Sequence, residues 1–182
     1  MSRLSIPAVV DAPAASQPLL AVVHKKLGVA PNLMKLLGQS PAALEGFLSL
    51  SGALDKGVLN AKLRESLALA VAEFNGCDYC LAAHSYIGKN LVKLTDDEIA
   101  QARDGRAADA RNDAALRFAQ RVAAERGRVL DADIAALRAA GFSDAETVEI
   151  VLHVALNVLT NYVNNVAHTD VDFPRVSAHT HA

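Results

Sequence analysis

Cys77 and Cys80 are the two cysteines of this chain, and they stand three positions apart in EFNGCDYCLAAHSYIGKN, with His84 four residues further on. The segment after Gly76 holds no helix breaker before Gly88, so it can start a helix, and residues three and four apart on a helix share a face. Both sulfurs and the imidazole then fall on one stripe. The first turn of a helix presents unpaired N–H groups and the positive end of the macrodipole, which favour a thiolate over a thiol. An unperturbed cysteine, with a pKa near ~8.5, is only a few per cent ionised at neutral pH, whereas one shifted to about 7 is half ionised. Cys80 and His84, related as i and i+4, are placed for the imidazole to act as base, directly or through one water, so Cys80 takes the role of nucleophile. Cys77, one turn earlier, is placed to attack an oxidised Cys80 and close a disulfide.

A histidine base needs an orienting partner, usually a carboxylate. Glu65 and Glu73 precede the pair on AKLRESLALAVAEF. Glu65 lies mid-helix beside Ala68 and Leu69 with few other charges, so its carboxylate is expected to point toward the next helix. Glu73 is expected near solvent at the helix C-terminus, where a negative charge is slightly unfavourable. Residues alone give Glu65 a modest preference.

These residues carry a family resemblance. Glu65, eleven residues, Cys77, two residues, Cys80, three residues and His84 resemble the signature of the alkylhydroperoxidase D and carboxymuconolactone decarboxylase superfamily, most closely over residues 45–95. The closing TNYVNNVAHTDVDFP is similar to the end of its peroxidase-related branch. The resemblance implies an all-α fold, a single helical domain over residues 1–182 of the alkylhydroperoxidase D-like type, and a homo-oligomer built as a trimer or a dimer of trimers. It also implies a relay in which Glu65 orients His84, His84 activates Cys80, and Cys77 resolves. The expected activity is that of a thiol-dependent peroxidase or disulfide oxidoreductase, with a hydroperoxide as substrate, an unidentified dithiol as electron donor, and no cofactor or metal. Where some relatives carry a histidine between the cysteines, this chain has Tyr79. True carboxymuconolactone decarboxylases lack the CxxC pair, so lactone decarboxylation is not the expected reaction. The rival reading is a non-catalytic dithiol protein that senses redox state or binds a metal through Cys77, Cys80 and His84. Such a zinc site needs a fourth ligand, and His24, His153 and His168 have no diagnostic spacing for it.

The rest of the chain must position that constellation, and its periodicity is helical throughout. Apolar residues make up 52% of the composition and aromatics 4%, so the core is built from Ala, Leu and Val, a mixture suited to closely packed helices. Between an irregular arm (1–17) and an irregular tail (170–182), helices are predicted from Pro18 to Leu27, from Pro31 to Gly38, and after the Ser40–Pro41 cap to about Lys56. Further ones run from Asn60 to Asn75 with Leu63, Leu67, Ala70 and Phe74 inward, from the dithiol to Gly88, and from Thr95 to Gly105. The last three span about Asp109 to Arg126, a segment capped by Asp131, and a long helix opened by Ser143 and Glu146.

That last helix is apolar around most of its circumference, which predicts burial on nearly all sides and a share in a subunit interface. Its polar residues Glu149, His153, Asn157, Thr160 or Asn161, Asn164 and His168 recur every three or four positions, and read as hydrogen-bonded core or interface side chains rather than a pocket wall. His24 reads as helix surface, and His168, His179 and His181 as solvated. A formal charge of −2 and a pI near 6.3 offer no basic field for nucleic acid. The segment VEIVLHVALNVLTNYVNNVA is too polar for a membrane span. A soluble, cytosolic protein is expected, and thiols in that reducing compartment are more often catalytic or metal-binding than stapled.

Overall fold

Helix caps punctuate the chain, and the computed structural model, which describes residues 2–179, follows them. Ser40 accepts a hydrogen bond from Ala43 N–H ahead of Pro41, and Asn60 does the same for Leu63. Thr95 with Glu98 and Ser143 with Glu146 form reciprocal capping boxes, which satisfy backbone donors that a helix start otherwise leaves unpaired. The helices among the described residues are α1 (Gln17–Leu27), α2 (Asn32–Leu37), α3 (Pro41–Leu54), α4 (Ala61–Phe74), α5 (Asp78–Ile87), α6 (Asp96–Arg103), α7 (Ala110–Ala124), α8 (Asp131–Ala139) and α9 (Asp144–Ala167). No strand occurs among those residues. The fold is all-α, as the sequence predicts. One 3₁₀ turn, Val9–Asp11, interrupts the N-terminal arm, and a π-helical turn, Gly88–Val92, continues α5; neither left a signal in the sequence pattern.

Helix α4 is the hub. It packs against α5, α6, α7 and α9, and every residue from Leu67 to Glu73 is buried. Ala68, Ala70 and Ala72 make this possible, because a helix lined with methyl groups lets neighbours approach on several sides. Phe74 departs from the expected inward stripe and is 41% exposed, since the helix ends there and the chain turns at Asn75 and Gly76. Gly76 adopts φ +60°, a conformation that costs glycine little, and this turn sets α5 against α4. Asp131 is the first residue of α8, not its cap. Leu130 occupies the cap position, and Asp133 reaches back to accept its backbone N–H at 2.8 Å.

Within one subunit helix α9 buries its polar residues His153, Asn157, Thr160, Asn161 and Asn164, while Val148, Val151, Leu152, Leu159, Tyr162 and Val166 are exposed. The helix turns its amides to the core together with Ile150 and Val154, and leaves an apolar face outward. The tail is irregular, as expected, and hydrogen bonds hold it to the helices. Asp172 accepts hydrogen bonds from the Tyr79 hydroxyl (2.8 Å) and Asn32 N–H (2.8 Å), and Asp78 accepts one from Ala178 N–H (2.8 Å). His179 is tied by its backbone to Glu73, and His181 lies outside the described residues. His168 ends α9 in the left-handed region (φ 49°). No helix of the described residues is long and apolar enough to cross a membrane.

Candidate functional site

The turn at Gly76 makes Cys77 the N-cap of α5, where its sulfur accepts the Cys80 N–H at 3.3 Å. One turn of helix then brings the two sulfurs face to face at 2.6 Å as free thiols. Closing a disulfide from that position needs little backbone movement. Both groups are buried, Cys77 at 0% and Cys80 at 2% exposure.

Burial pushes the Cys80 thiol up, but the hydrogen bond from Cys77, the charge of His84 and the amides of Asn164 and Asn161 outweigh it and leave Cys80 at about 7. Cys77 is raised instead, because it donates to Cys80 and is itself desolvated. The arrangement therefore favours one thiolate, on Cys80, and one thiol, on Cys77.

Glu65 and His84 meet between α4 and α5. The Nδ1–H of His84 donates to Glu65 Oε1 at 2.7 Å, which leaves Nε2 as the basic nitrogen. Burial disfavours the charged imidazole, but Glu65, through charge and hydrogen bond, and then Cys80 raise its pKa above the ordinary value. The side chains are 24% and 13% exposed, so the pair is partly open to solvent while the dithiol is buried. Gly88 packs beside Glu65: a Cβ on it would touch Glu65 Cγ at 3.5 Å and press on Leu94 Cδ1 at 3.1 Å.

Glu73 overturns the expectation of a solvent-facing carboxylate. It is 3% exposed, accepts the Arg103 Nε–H at 2.7 Å, and holds the tail through His179 N–H at 2.5 Å. Arg103 on α6 and the returning tail close over the end of α4, a tertiary arrangement with no local signature. Tyr79 also lies outside the relay: its hydroxyl accepts from Leu33 N–H (3.0 Å) and donates to Asp172, and its ring meets Phe173 edge-on at 5.9 Å.

Sequence reasoning missed two residues at the sulfur itself. Asn164 Nδ2 donates to Cys80 Sγ at 3.2 Å across 84 positions of chain, and Asn161 turns its amide toward the same sulfur without closing a hydrogen bond to it. The polar stripe of α9 is buried and hydrogen-bonded, as expected, and part of it meets the reactive sulfur; its periodicity on an apolar helix was the available signal. The rest of the stripe is internal: Asn157 donates to His153 O and Thr160 to Asn157 O, while Glu149 accepts from Val58 N–H and Leu59 N–H.

Among the described residues no three His, Cys, Asp or Glu side chains converge as metal ligands would. A groove of about 870 Å³ lies elsewhere, among α6, α7, α8 and His179. Its charged walls are largely neutralised by pairs such as Arg117–Asp113 and Arg121–Asp133, and it holds none of the site residues.

The sequence model of the Carboxymuconolactone decarboxylase family matches residues 41–125. The structure is similar to that of a peroxidase-related protein with an alkylhydroperoxidase D core from Ralstonia eutropha JMP134, with 28% identity over 94% of this chain and 92% of that one and a TM-score of 0.83. A peroxidase-related protein from Silicibacter sp. TM1040 gives 25% identity, 93% and 91% coverage and a TM-score of 0.81. A debrominase, at 20% identity, 94% and 91% coverage and a TM-score of 0.75, shares the fold. Comparison with curated proteins finds no match.

Proposed function

We propose that the chain, similar to the carboxymuconolactone decarboxylase family over residues 41–125 and to peroxidase-related proteins with an alkylhydroperoxidase D core in its fold, is a member of that superfamily and acts as a thiol-dependent peroxidase and disulfide oxidoreductase. One observation carries the reading: Cys80, held at about 7, faces the Cys77 thiol at 2.6 Å while a Glu65–His84 pair stands beside it. Glu65 fixes the imidazole through Nδ1, and the imidazole takes the Cys80 proton. The thiolate attacks the terminal oxygen of a hydroperoxide; an S–O bond forms, the O–O bond breaks, and the leaving alkoxide takes the proton back from His84. Cys77 then attacks the sulfenic acid, forming the disulfide and releasing water, and an external dithiol restores both thiols. Consumption of hydroperoxide in the presence of a series of dithiol donors tests this. Turnover that vanishes in Cys80→Ser supports an enzyme; stoichiometric oxidation without turnover by any donor marks the dithiol as a sensor.

We also propose that the active form is a homo-oligomer, with the outer face of α9 buried between copies. Val148, Val151, Leu152, Ala155, Leu159, Tyr162 and Val166 include every exposed position of that helix from 148 to 166, and all are apolar. Their spacing of three and four is that of a helix-pairing seam. A face with no charge of its own matches a second copy of itself.

A further inference from the structure

The structure assigns Asn161 and Asn164 the recognition of the oxygen atom that is transferred to Cys80. Among the described residues, Asn161 Nδ2 and Asn164 Oδ1 are buried polar atoms without a hydrogen-bond partner. Buried amide atoms are ordinarily paired, so two orphans beside one nucleophile ask for a ligand. Their orientations are fixed by what they already hold. Asn161 Oδ1 accepts from Asn75 Nδ2 at 2.9 Å, and Asn164 Nδ2 donates to Cys80 Sγ at 3.2 Å; turning either amide over would lose that bond. What remains is one free donor and one free acceptor, a helical turn apart on the face of α9 that carries the sulfur's amides.

A hydroxyl complements such a pair, since it accepts one hydrogen bond and donates another. The terminal OH of a hydroperoxide offers that group, and so does the sulfenic acid it leaves on Cys80. Asn161 Nδ2 donates to the oxygen, and Asn164 Oδ1 accepts its proton. In the attack the sulfur is oxidised, the S–O bond forms as the O–O bond breaks, and the electron pair departs on the alkoxide, which His84 protonates. The transferred oxygen keeps its proton and both amide contacts until Cys77 displaces it as water. The inference rests on the peroxidase reading and deepens it: the site selects hydroperoxides over electrophiles that carry no such hydroxyl.

Two reactions of Cys80 are compared in the wild type, Asn161→Leu, Asn164→Leu and Asn161→Asp: oxidation by hydrogen peroxide or cumene hydroperoxide, and alkylation by iodoacetamide. Each is run about two pH units above that variant's measured thiol pKa, so that Cys80 is thiolate throughout. Asn161→Asp keeps the side-chain shape and the acceptor for Asn75 while removing the donor, and melting curves confirm that each variant folds. The ratio of peroxide to iodoacetamide rate should fall by about tenfold to a hundredfold in the variants, the range for losing a hydrogen-bond donor to a reacting oxygen. Equal loss in both reactions, or an unchanged ratio, overturns the assignment while leaving the peroxidase reading intact. A wild type that iodoacetamide alkylates but hydroperoxide does not oxidise overturns both.

Discussion

His84 and Glu65 share a hydrogen bond of 2.7 Å between the base and the carboxylate of the preceding helix, and this fixes which imidazole nitrogen is free. Glu65→Gln keeps the side-chain shape but removes the charge that raises the imidazole pKa. Peroxide turnover should drop by about one to three orders of magnitude, as for the loss of part of a general-base relay. Thermal stability should change little, since Glu65 is only partly desolvated. Initial rates and a melting curve on the same preparation check both statements. Wild-type rates in Glu65→Gln would remove the carboxylate from the relay.

Glu73→Gln should show the opposite pattern. Its carboxylate anchors Arg103 and the tail in a nearly dry site, so weakening that ion pair should lower stability by about 1–3 kcal/mol. Turnover per folded molecule should stay near the wild-type value. Chemical denaturation with activity measured on the same samples separates the two effects.

The pH dependence of Cys80 follows from its depressed pKa. Alkylation should climb as pH rises through about 7 and level off above it, because only the thiolate reacts. In His84→Gln the positive charge that lowers the Cys80 pKa is absent, so the midpoint should move to higher pH. A midpoint that stays in place would show that His84 contributes nothing to the ionisation.

Leu159→Glu and Tyr162→Glu place charge on the apolar outer face of α9, at positions 42% and 57% exposed. The folded subunit should tolerate them, whereas an interface would not. Light scattering should report an oligomer for the wild type, with a trimer or hexamer expected from the superfamily resemblance, and a monomer for the double variant. A monomeric wild type at micromolar concentration would remove the partner assigned to this face.

Local chemistry made much of this molecule readable from its sequence. Ser40 with Pro41, Asn60, Thr95 and Ser143 with Glu146 each mark a helix start that the structure reproduces, because a cap is a contact between residues three apart. The four-residue constellation was readable for the same reason: Cys77, Cys80 and His84 lie within eight positions, and Glu65 sits on the adjoining helix. Contacts made by tertiary packing were not. Asn164 reaches Cys80 across 84 positions, and Glu73 meets His179 across 106. The inverted polarity of α9 was visible only as a period of amides in an apolar helix, which did not say which face was inside. Cys77 as an N-cap, and Leu130 rather than Asp131 as the cap of α8, fall outside the usual capping residues.

The most direct measurement of the central claim is the mass and thiol count of fully reduced protein titrated with hydroperoxide. The account predicts that one equivalent removes both thiols, lowers the mass of the peptide spanning Cys77 and Cys80 by two hydrogens, and releases one equivalent of alcohol. Cys77→Ser should instead add one oxygen at Cys80. Retention of both free thiols after excess hydroperoxide, or accumulation of sulfonic acid with no disulfide at any dose, would contradict it.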